Sequence, residues 1–197
     1  ISDMTGIARG KILPRDLYLS AGEMRLPKSV LLNTVNGQQP DNGPYVGETD
    51  PDMVCVPDAA TVRLVPWAAE PVAVVIHDCQ EFDGTPVQIS PRAVLRRVVQ
   101  LFTARGWRPV VAAELEFSLV RWDESQPGHT CPSLPGNSPV GGNTYGLDVL
   151  NHHQALLEDL RLACELQDLP FDGVVKESAP SQYEINMQHV DNPVLAA

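Results

Sequence analysis

The chain has 197 residues, 43% of them hydrophobic and 20% charged, which is typical of a globular protein large enough to bury a core. Its formal net charge of −11 disfavours nucleic acid or an anionic membrane as the main partner, since both select for Lys and Arg. No apolar run is long enough to cross a membrane, and the N-terminus lacks the apolar core of a signal peptide, so we expect a cytoplasmic protein.

The four cysteines are expected to be unpaired thiols. Cys55, Cys79, Cys131 and Cys164 are far apart in the sequence and form no Cys-x-x-Cys or mixed cysteine–histidine ligand pattern. A reducing cytosol keeps such thiols free, and a structural disulfide is the alternative.

Residues 1–88 predict a first domain built of short strands. The segments MVCVPD, TVRLVPW and VAVVIHD are rich in β-branched residues, and the Pro and Asp residues between them indicate turns. No helix longer than a few turns is evident there, and residues 36–52 read as a polar loop. A break within residues 81–90 precedes the second part of the chain, residues 89–197.

Two helices are predicted in the second part. The first covers residues 90–106, with Ser90 as the N-cap, Pro91 at the first position and Gly106 as the stop. Its apolar stripe is expected to be buried and comprises Val94, Leu95, Val98, Leu101 and Phe102, while Arg96 and Arg97 are expected on its solvated side.

The second helix covers residues 147–169. Its predicted buried side comprises Leu150, Leu156, Leu157, Leu160, Ala163 and Cys164. His152 and His153 are adjacent, so their side chains diverge on a helix, and we expect both at the surface. Strands alternate with these helices, which predicts a sheet covered by helices.

Glu114 and Glu116 lie two residues apart in the predicted strand of residues 108–122, so both side chains leave the same face. Their neighbours are apolar on both sides of the alternation, which favours a central strand. An edge strand with a solvated face is the alternative.

The segment KESAPSQYEIN, residues 176–186, predicts a hairpin. A two-residue turn at Pro180 and Ser181 would place Glu177 directly opposite Glu184. Like charges that face each other across two strands repel, by roughly 0.2–1 kcal/mol in exposed pairs.

Four carboxylates that converge on one sheet need a counter-cation, because an ionised carboxylate can only accept hydrogen bonds. Oxygen ligands select hard divalent ions, so Mg²⁺ or Mn²⁺ is expected rather than Zn²⁺. Bound Mg²⁺ generally keeps positions open for phosphate oxygens, which favours a phosphorylated substrate. An acid/base pair of the glycosidase kind is the alternative, although it needs only two carboxylates.

Several ordered motifs resemble those of the glutamine synthetase superfamily over nearly the whole chain. SDMTGIARGK is similar to the family's opening Asp-x-x-Gly-x-x-Arg-Gly-Lys region, and DPDMVCVPDAATVRLVPW to its Asp-Met-x-x-x-Pro-Asp-x-x-Thr segment. The helix at residues 90–106 resembles the first helix of its catalytic domain. AAELEFSL is similar to its Glu-x-Glu-Phe strand, and ESAPSQYEIN to its Glu-x-x-x-Gly-Gln-x-Glu hairpin.

The resemblance implies an α+β fold. A small N-terminal β-grasp domain would occupy residues 1–88, and the first part of a guanido-kinase-like α/β catalytic domain, a curved antiparallel sheet with helices, would occupy residues 89–197. It also implies an ATP-dependent ligase, in which glutamate is phosphorylated to γ-glutamyl phosphate and ammonia, an amine or a polyamine then forms the amide. Active sites would lie between subunits of a homo-oligomer of stacked rings, a dodecamer.

The resemblance also implies roles for individual residues. Glu116, Glu177 and Glu184 would bind the Mg²⁺ or Mn²⁺ ion beside glutamate and the transferred phosphoryl group, and Glu114 would contribute to a second ion on the ATP phosphates. Tyr145, in GGNTYG, is similar to a tyrosine that lines the amine pocket, with a packing role as the alternative. Glu177 and Tyr145 are the catalytic candidates.

The departures from the family pattern concern the nucleophile and the length. Where the ammonia-using enzymes carry an Asp-Gly-Ser-Ser loop, residues 26–30 read LPKSV, without an acidic group. This favours the γ-glutamyl-amine branch, including γ-glutamylpolyamine synthetases. Ser181 replaces the usual Gly of the hairpin bend. Later active-site elements of the family would lie beyond Ala197, so we expect the N-terminal part of a longer protein, inactive alone.

Two hypotheses about function follow. The first is a ligase that makes γ-glutamyl amides. The second is a non-catalytic or truncated glutamine synthetase homologue that binds metal or assembles without turnover.

Overall fold

The computed structural model describes residues 1–38, 43, 45–126, 128–133 and 144–196. Its helices are α1 (Arg15–Ser20), α2 (Pro91–Thr103), α3 (Leu147–His152), α4 (Gln154–Leu166) and α5 (Pro193–Ala196). Its strands are β1 (Met24–Pro27), β2 (Asp52–Pro57), β3 (Arg63–Leu64), β4 (Ala73–Val74), β5 (His77–Gln80), β6 (Glu114–Ser118), β7 (Val120–Trp122), β8 (Thr130–Pro132), β9 (Phe171–Lys176) and β10 (Gln182–Met187). Short 3₁₀ turns cover Lys28–Leu32 and Ala59–Thr61.

All strand pairs in the described residues are antiparallel. One three-stranded sheet has the order β1-β2-β5, and a second has the order β6-β10-β9. The pairs β3-β4 and β7-β8 form two-stranded ribbons. This mixture of antiparallel sheets and helices confirms the α+β class. No helix in the described part of the chain is long and apolar enough to cross a membrane.

The first sheet supports a closed apolar core. Its buried members are Leu26, Leu31, Met53, Cys55, Cys79 and Val87. The prediction of short strands in residues 1–88 is confirmed, although the segment VAVVIHD divides between β4 and β5 instead of forming one strand. Part of the polar loop predicted at residues 36–52 lies outside the described residues.

Helix α2 begins at Pro91, directly after Ser90, as predicted, and Gly106 follows it with a φ of +71°. The prediction that its apolar stripe is buried is wrong: Val94, Val98 and Leu101 are 41%, 42% and 58% exposed. The buried residues of this helix are Arg92 and Ala93.

The opposite side of α2 is held against the first sheet by charge. The Arg92 guanidinium lies 2.8 Å from an Asp58 carboxylate oxygen, and the Arg96 guanidinium lies 2.8 Å from an Asp78 oxygen. Arg96 is therefore not the freely solvated residue that the helix pattern predicted. Because buried charges must be paired, these contacts fix which side of α2 faces inward.

The second predicted helix is interrupted. It divides at His153 into α3 and α4, and Cys164 is buried as expected, whereas Leu156 is 37% exposed. The predicted strand of residues 108–122 is also divided, into a bridge from Val111 to Val190, β6 and β7. Strand β6 lies at the edge of its sheet among the described strands, so the predicted central strand is wrong, and β10 is central instead.

Candidate functional site

The hairpin of β9 and β10 has a longer turn than predicted. Tyr183 pairs with Lys176 and Glu184 pairs with Val175. The Glu177 backbone N–H donates to the Gln182 carbonyl at 2.9 Å and closes a four-residue turn, residues 178–181. Glu177 is therefore opposite Gln182, and the prediction that it faces Glu184 directly is wrong by two residues.

A two-residue shift preserves the face of the sheet, so Glu177 and Glu184 remain diagonal neighbours on one side. The residue directly opposite Glu184 is Glu116 of β6, and Asn186 is opposite Glu114. Residues opposite each other, and residues two apart on one strand, share a face. The four predicted carboxylates therefore lie on the same face of the β6-β10-β9 sheet, with Glu184 on the central strand.

The charges of these glutamates are not neutralised by ion pairs within the described part of the chain. None of the four forms an ion pair with Lys, Arg or His within the described ranges. Lys176 is 3% exposed, and its ammonium donates to the backbone carbonyls of Glu177 and Ala179. As predicted, it does not neutralise the acidic face; it fastens the turn.

Hydrogen bonds hold part of this face. The Gln182 side-chain amide donates to Glu116 Oε2 at 2.7 Å, and the same side chain accepts from the Ala179 N–H at 2.9 Å. The backbone N–H of Ser178 donates to a Glu177 carboxylate oxygen at 3.1 Å. Gln182 therefore links the edge strand to the hairpin turn.

The pKa of Glu184 is raised above its ordinary value. Desolvation is the largest cause, and the negative charges of Glu114, Glu177 and Glu116 act in the same direction, against a hydrogen bond with Asn186. A raised pKa means that the charged form of Glu184 is disfavoured by its surroundings. The protonation of Glu184 therefore depends on the charges of the other three glutamates.

The carboxylate groups of the four glutamates do not point toward one common position in the described structure. Among the described residues, no group of three or more His, Cys, Asp or Glu side chains is placed to hold a metal ion. The backbone register brings the four glutamates onto one face, and mutual repulsion favours side-chain rotamers that keep like charges apart. The donor set is oxygen only, so it fits a hard divalent cation, which would require those side chains to turn toward one another.

Tyr145 lies next to this hairpin. Its backbone N–H donates to the Lys176 carbonyl at 2.8 Å, one residue before Glu177, and its φ is +62°. Its side chain is exposed. Most of the loop that precedes it, residues 134–143, lies outside the described residues.

Behind the acidic face lies a polar network that the sequence did not reveal. Tyr183 is fully buried and stacks on Phe117, with ring centroids 5.9 Å apart. Its hydroxyl is hydrogen-bonded to His153 Nδ1 at 2.7 Å, and His153 Nε2 lies 3.2 Å from Ser133 Oγ. Ser133 in turn donates to Ser181 Oγ at 3.3 Å.

His153 is thus half-buried and bonded, and its expected surface position is wrong, whereas His152 is exposed as predicted. Burial lowers the pKa of His153, and the neighbouring His152 lowers it further. No pattern in the sequence could have linked His153 to Tyr183, since they are 30 residues apart and meet through the packing of α3 and α4 on β9.

Residues 26–30, which lack the acidic group expected from the family pattern, carry their own charge pair. The Lys28 ammonium lies 2.6 Å from a Glu81 carboxylate oxygen, and the Lys28 side chain is only 13% exposed. Ser29 donates from its backbone and from its hydroxyl to the Asp50 carboxylate, at 2.9 and 2.6 Å. This segment is therefore fixed in place by two carboxylates from other parts of residues 1–88.

The family model of the glutamine synthetase catalytic domain matches residues 88–197. The chain belongs to the glutamine synthetase family. It is 35% identical to gamma-glutamylputrescine synthetase PuuA of Escherichia coli (strain K12) over 98% of this chain and 42% of that protein. It is 29% identical to glutamate–isopropylamine ligase of Pseudomonas sp, over 72% of this chain and 30% of that protein.

A third relative is glutamate–methylamine ligase of Methyloversatilis universalis, 33% identical over 72% of this chain and 31% of that protein. The chain spans about two fifths of the length of the Escherichia coli relative and about a third of the other two. All three names describe ligases or synthetases that join glutamate or a γ-glutamyl group to an amine.

Solved structures agree on the fold. One described as a GmaS/ADP complex superposes with a TM-score of 0.75 at 19% identity, over 99% of this chain and 41% of that one. Another, described as a novel glutamine synthase homolog, gives a TM-score of 0.76 at 24% identity, over 99% and 43% of the two chains. At these identities the likeness establishes the fold alone.

Proposed function

We propose that the protein is an ATP- and Mg²⁺-dependent ligase that joins the γ-carboxylate of glutamate to an amine through γ-glutamyl phosphate. The observation that carries this proposal is the register of the second sheet, in which Glu184 faces Glu116 directly and Glu114 and Glu177 flank them on the same face. Family membership supports the same chemistry.

In this proposal Glu116, Glu177 and Glu184 hold the ion nearest glutamate, and Glu114 contributes to the ion on the ATP phosphates. Divalent cations would supply the charge neutralisation that phosphoryl transfer requires. Mn²⁺ has the same ligand preference and is an alternative occupant. Either ion would also favour the charged form of Glu184, whose pKa is raised by desolvation and by its three acidic neighbours.

The chain's own residues would position these ligands. Gln182 holds the Glu116 carboxylate, and Lys176 fastens the turn that presents Glu177. Tyr183 and His153 anchor the opposite face of β10, so that Glu184 projects from a fixed strand. Fixed placement of charged groups is the main contribution that a protein makes to phosphoryl transfer.

An amine is the proposed nucleophile, with a diamine or polyamine preferred to ammonia. In this proposal residues 26–30 take the place of the acidic loop of the ammonia-using enzymes, and Lys28 of this segment is paired with Glu81. The names of the three relatives reported above contain the amines putrescine, isopropylamine and methylamine. Tyr145 is proposed to line the amine pocket, because its backbone is fastened beside Glu177.

The remaining features of the family are part of the same proposal. Residues 1–88 would form a β-grasp domain and residues 89–197 the first part of the catalytic domain. Subunits would assemble into stacked rings, a dodecamer in a cytoplasmic setting, with each active site shared between neighbouring subunits. ATP, glutamate and the amine are the proposed substrates.

The test is glutamate-dependent ADP release by the protein expressed from its complete gene, with Mg²⁺ present. The nucleophile is varied among ammonia, methylamine, ethanolamine, putrescine and spermidine, and the amide product is identified by mass. Release with a diamine or polyamine and little with ammonia is the expected result. Ammonia as the best nucleophile would contradict the proposal for residues 26–30.

Silence with every amine, together with retained Mn²⁺ binding, would support the second hypothesis, a homologue that binds metal without turnover. Mn²⁺ binding can be measured by electron paramagnetic resonance of the free ion. An intact-mass measurement and size-exclusion chromatography with light scattering test the proposed assembly on the same sample.

A further inference from the structure

Two of the four cysteines meet across the first sheet. Strands β2 and β5 pair antiparallel, with Cys55 directly opposite Cys79. The two residues are 24 positions apart in the sequence, and they belong to the first sheet, whereas the acidic face belongs to the second.

The backbone bonding identifies the kind of pair. The Asp58 N–H donates to the Ile76 carbonyl at 2.8 Å, and hydrogen-bonded pairs alternate with non-hydrogen-bonded ones along an antiparallel ladder. Asp58 and Ile76 are thus a hydrogen-bonded pair. Cys55 and Cys79 lie three positions further along the ladder, so the alternation makes them a non-hydrogen-bonded pair. The Cys79 carbonyl agrees, because it accepts from the Val87 N–H on the other side of β5.

Non-hydrogen-bonded pairs bring their side chains closest. Their Cα atoms are about 4.5 Å apart, which is within the range of about 4.4–6.8 Å that disulfides span. A sulfur–sulfur bond between Cys55 and Cys79 therefore needs no change of strand register.

The surroundings make the two thiols unequal. Both are 2% exposed, in the core that contains Leu31 and Met53. Hydrogen bonding with Cys55 lowers the pKa of Cys79 to about 7, with a further contribution from the Ser90 hydroxyl and against the effect of burial. The same contact with Cys79, together with burial, raises the pKa of Cys55. One thiol is thus disposed to attack and the other to stay protonated.

We propose that Cys55 and Cys79 are a redox-sensitive pair that hydrogen peroxide converts reversibly into a cross-strand disulfide. The Cys79 thiolate attacks one peroxide oxygen, the O–O bond breaks and hydroxide leaves, which gives a sulfenic acid on Cys79. The Cys55 sulfur then attacks the Cys79 sulfur, the S–O bond breaks, and the departing hydroxide takes up the Cys55 proton as water. In total two thiols lose two electrons and two protons, and one peroxide becomes two waters.

Burial decides which oxidant can act. At 2% exposure neither sulfur presents a surface to a molecule as large as oxidised glutathione, whereas peroxide is close to water in size. The reaction therefore yields an internal disulfide rather than a glutathione adduct. Reduction by a small dithiol after transient opening of the sheet returns both thiols.

The test is peroxide treatment of the reduced protein expressed from its complete gene, followed by alkylation under denaturing conditions, digestion without reductant and mass spectrometry. A cross-linked pair of peptides containing Cys55 and Cys79, lighter by two hydrogen atoms than the reduced pair, is the expected product. Cys131 and Cys164 are expected to be alkylated, and dithiothreitol should abolish the cross-link. The oxidised protein should also unfold at a higher temperature.

Matched variants keep the result interpretable. Cys55→Ser and Cys79→Ser should each abolish the cross-link, whereas a Cys131→Ser/Cys164→Ser double variant should form it unchanged. The wild-type measurement stands even where a serine variant is unstable. Alkylation of both Cys55 and Cys79 after peroxide, an irreversible sulfinic acid on Cys79, or a cross-link through Cys131 or Cys164 would each overturn the proposal.

Discussion

The two three-stranded sheets use the same antiparallel geometry for opposite purposes. In the β1-β2-β5 sheet the directly opposed pair is Cys55 and Cys79, both buried in an apolar core. In the β6-β10-β9 sheet it is Glu116 and Glu184, like charges on an open face. The first arrangement stabilises its own sheet, whereas the second costs free energy unless something outside the chain neutralises it.

The carboxylates of the two regions differ in the same way. In the first region Asp3 accepts hydrogen bonds from Thr5, Ile7 and Arg9, and Asp58 and Asp78 are paired with arginines of α2. In the second region the four glutamates find no cation among the described residues. A charge satisfied by its own chain indicates a structural role, and a cluster left unsatisfied indicates a ligand.

Glu184→Gln tests the functional half of this comparison and has the largest expected effect. Turnover should fall by roughly 10²–10³-fold, because a preorganised charged group is lost from the site. The metal-free protein should unfold at an unchanged or slightly higher temperature, since the repulsion with Glu116 is removed. Steady-state kinetics and thermal unfolding of the same preparation provide both measurements.

Glu124→Gln is the matched control, because Glu124 is an exposed glutamate that lies outside the acidic face. Its turnover should equal that of the wild type. Full activity in Glu184→Gln would remove the carboxylate pair from the proposed function.

Met53→Ala tests the structural half. Met53 is fully buried in the core of the first sheet, and such truncations cost about 2–5 kcal/mol of unfolding free energy. Leu115→Ala in β6 is the counterpart in the second sheet; Leu115 is 52% exposed, so its loss should stay within about 0.5 kcal/mol. Urea denaturation of both variants measures the difference. Similar losses would contradict the contrast between a closed and an open sheet.

Tyr183→Phe examines the support behind the acidic face. The substitution preserves the ring and removes the hydroxyl bonded to His153, which should lower the unfolding free energy by about 1–2 kcal/mol. His152→Ala, at the exposed neighbour of His153, should have almost no effect on the same urea transition. An equal loss in the two variants would mean that the buried network does not hold β10.

Asp3→Asn sharpens the contrast between satisfied and unsatisfied carboxylates, and its expected effect depends on pH. Burial raises the pKa of Asp3, but hydrogen bonds from Thr5, Arg9 and Ile7 outweigh it and lower the value to about 2. A folded-state pKa below the unfolded value contributes stability above the unfolded value of 3.8, and that stability is lost as the pH falls toward 2.

The Asn variant should therefore be less stable than the wild type by roughly 1–2 kcal/mol at pH 6. The gap should narrow continuously between about pH 4 and pH 2. Thermal unfolding across this pH range measures it. A constant gap would show that the carboxylate charge of Asp3 is not what stabilises the loop.

Local patterns predicted much of this molecule. The start of α2 at Pro91 and the shared face of Glu114 and Glu116 depend on neighbours within a few residues, and both are confirmed. The α+β class was implied by the resemblance to the family, and the antiparallel sheets and helices also confirm it. The family follows from ordered motifs, and the match at residues 88–197 confirms it.

Contacts between distant segments were not predictable in this way. The length of the turn decides the register of a hairpin, and this sequence is compatible with a two-residue or a four-residue turn. The prediction therefore placed Glu177 opposite Glu184, two residues from its actual partner Gln182. The meeting of Cys55 with Cys79, the bond between His153 and Tyr183, and the ion pairs of Arg96 all join elements far apart in the chain. The metal-binding and catalytic roles of the four glutamates and Tyr145 stay predictions.

Ser181 carries one more consequence, for the unfolded chain. With a φ of +52° it occupies a conformation in which a non-glycine residue is strained by about 1–2 kcal/mol. Glycine would avoid that strain but would enter folding with more backbone freedom to lose, about 0.5–1 kcal/mol relative to a residue with a side chain. The backbone effect offsets only part of that strain, and the buried Ser181 hydroxyl also accepts a hydrogen bond from Ser133 that glycine cannot accept. Compared with glycine, Ser181 therefore makes the unfolded chain less flexible at this position and ties the folded hairpin turn to Ser133.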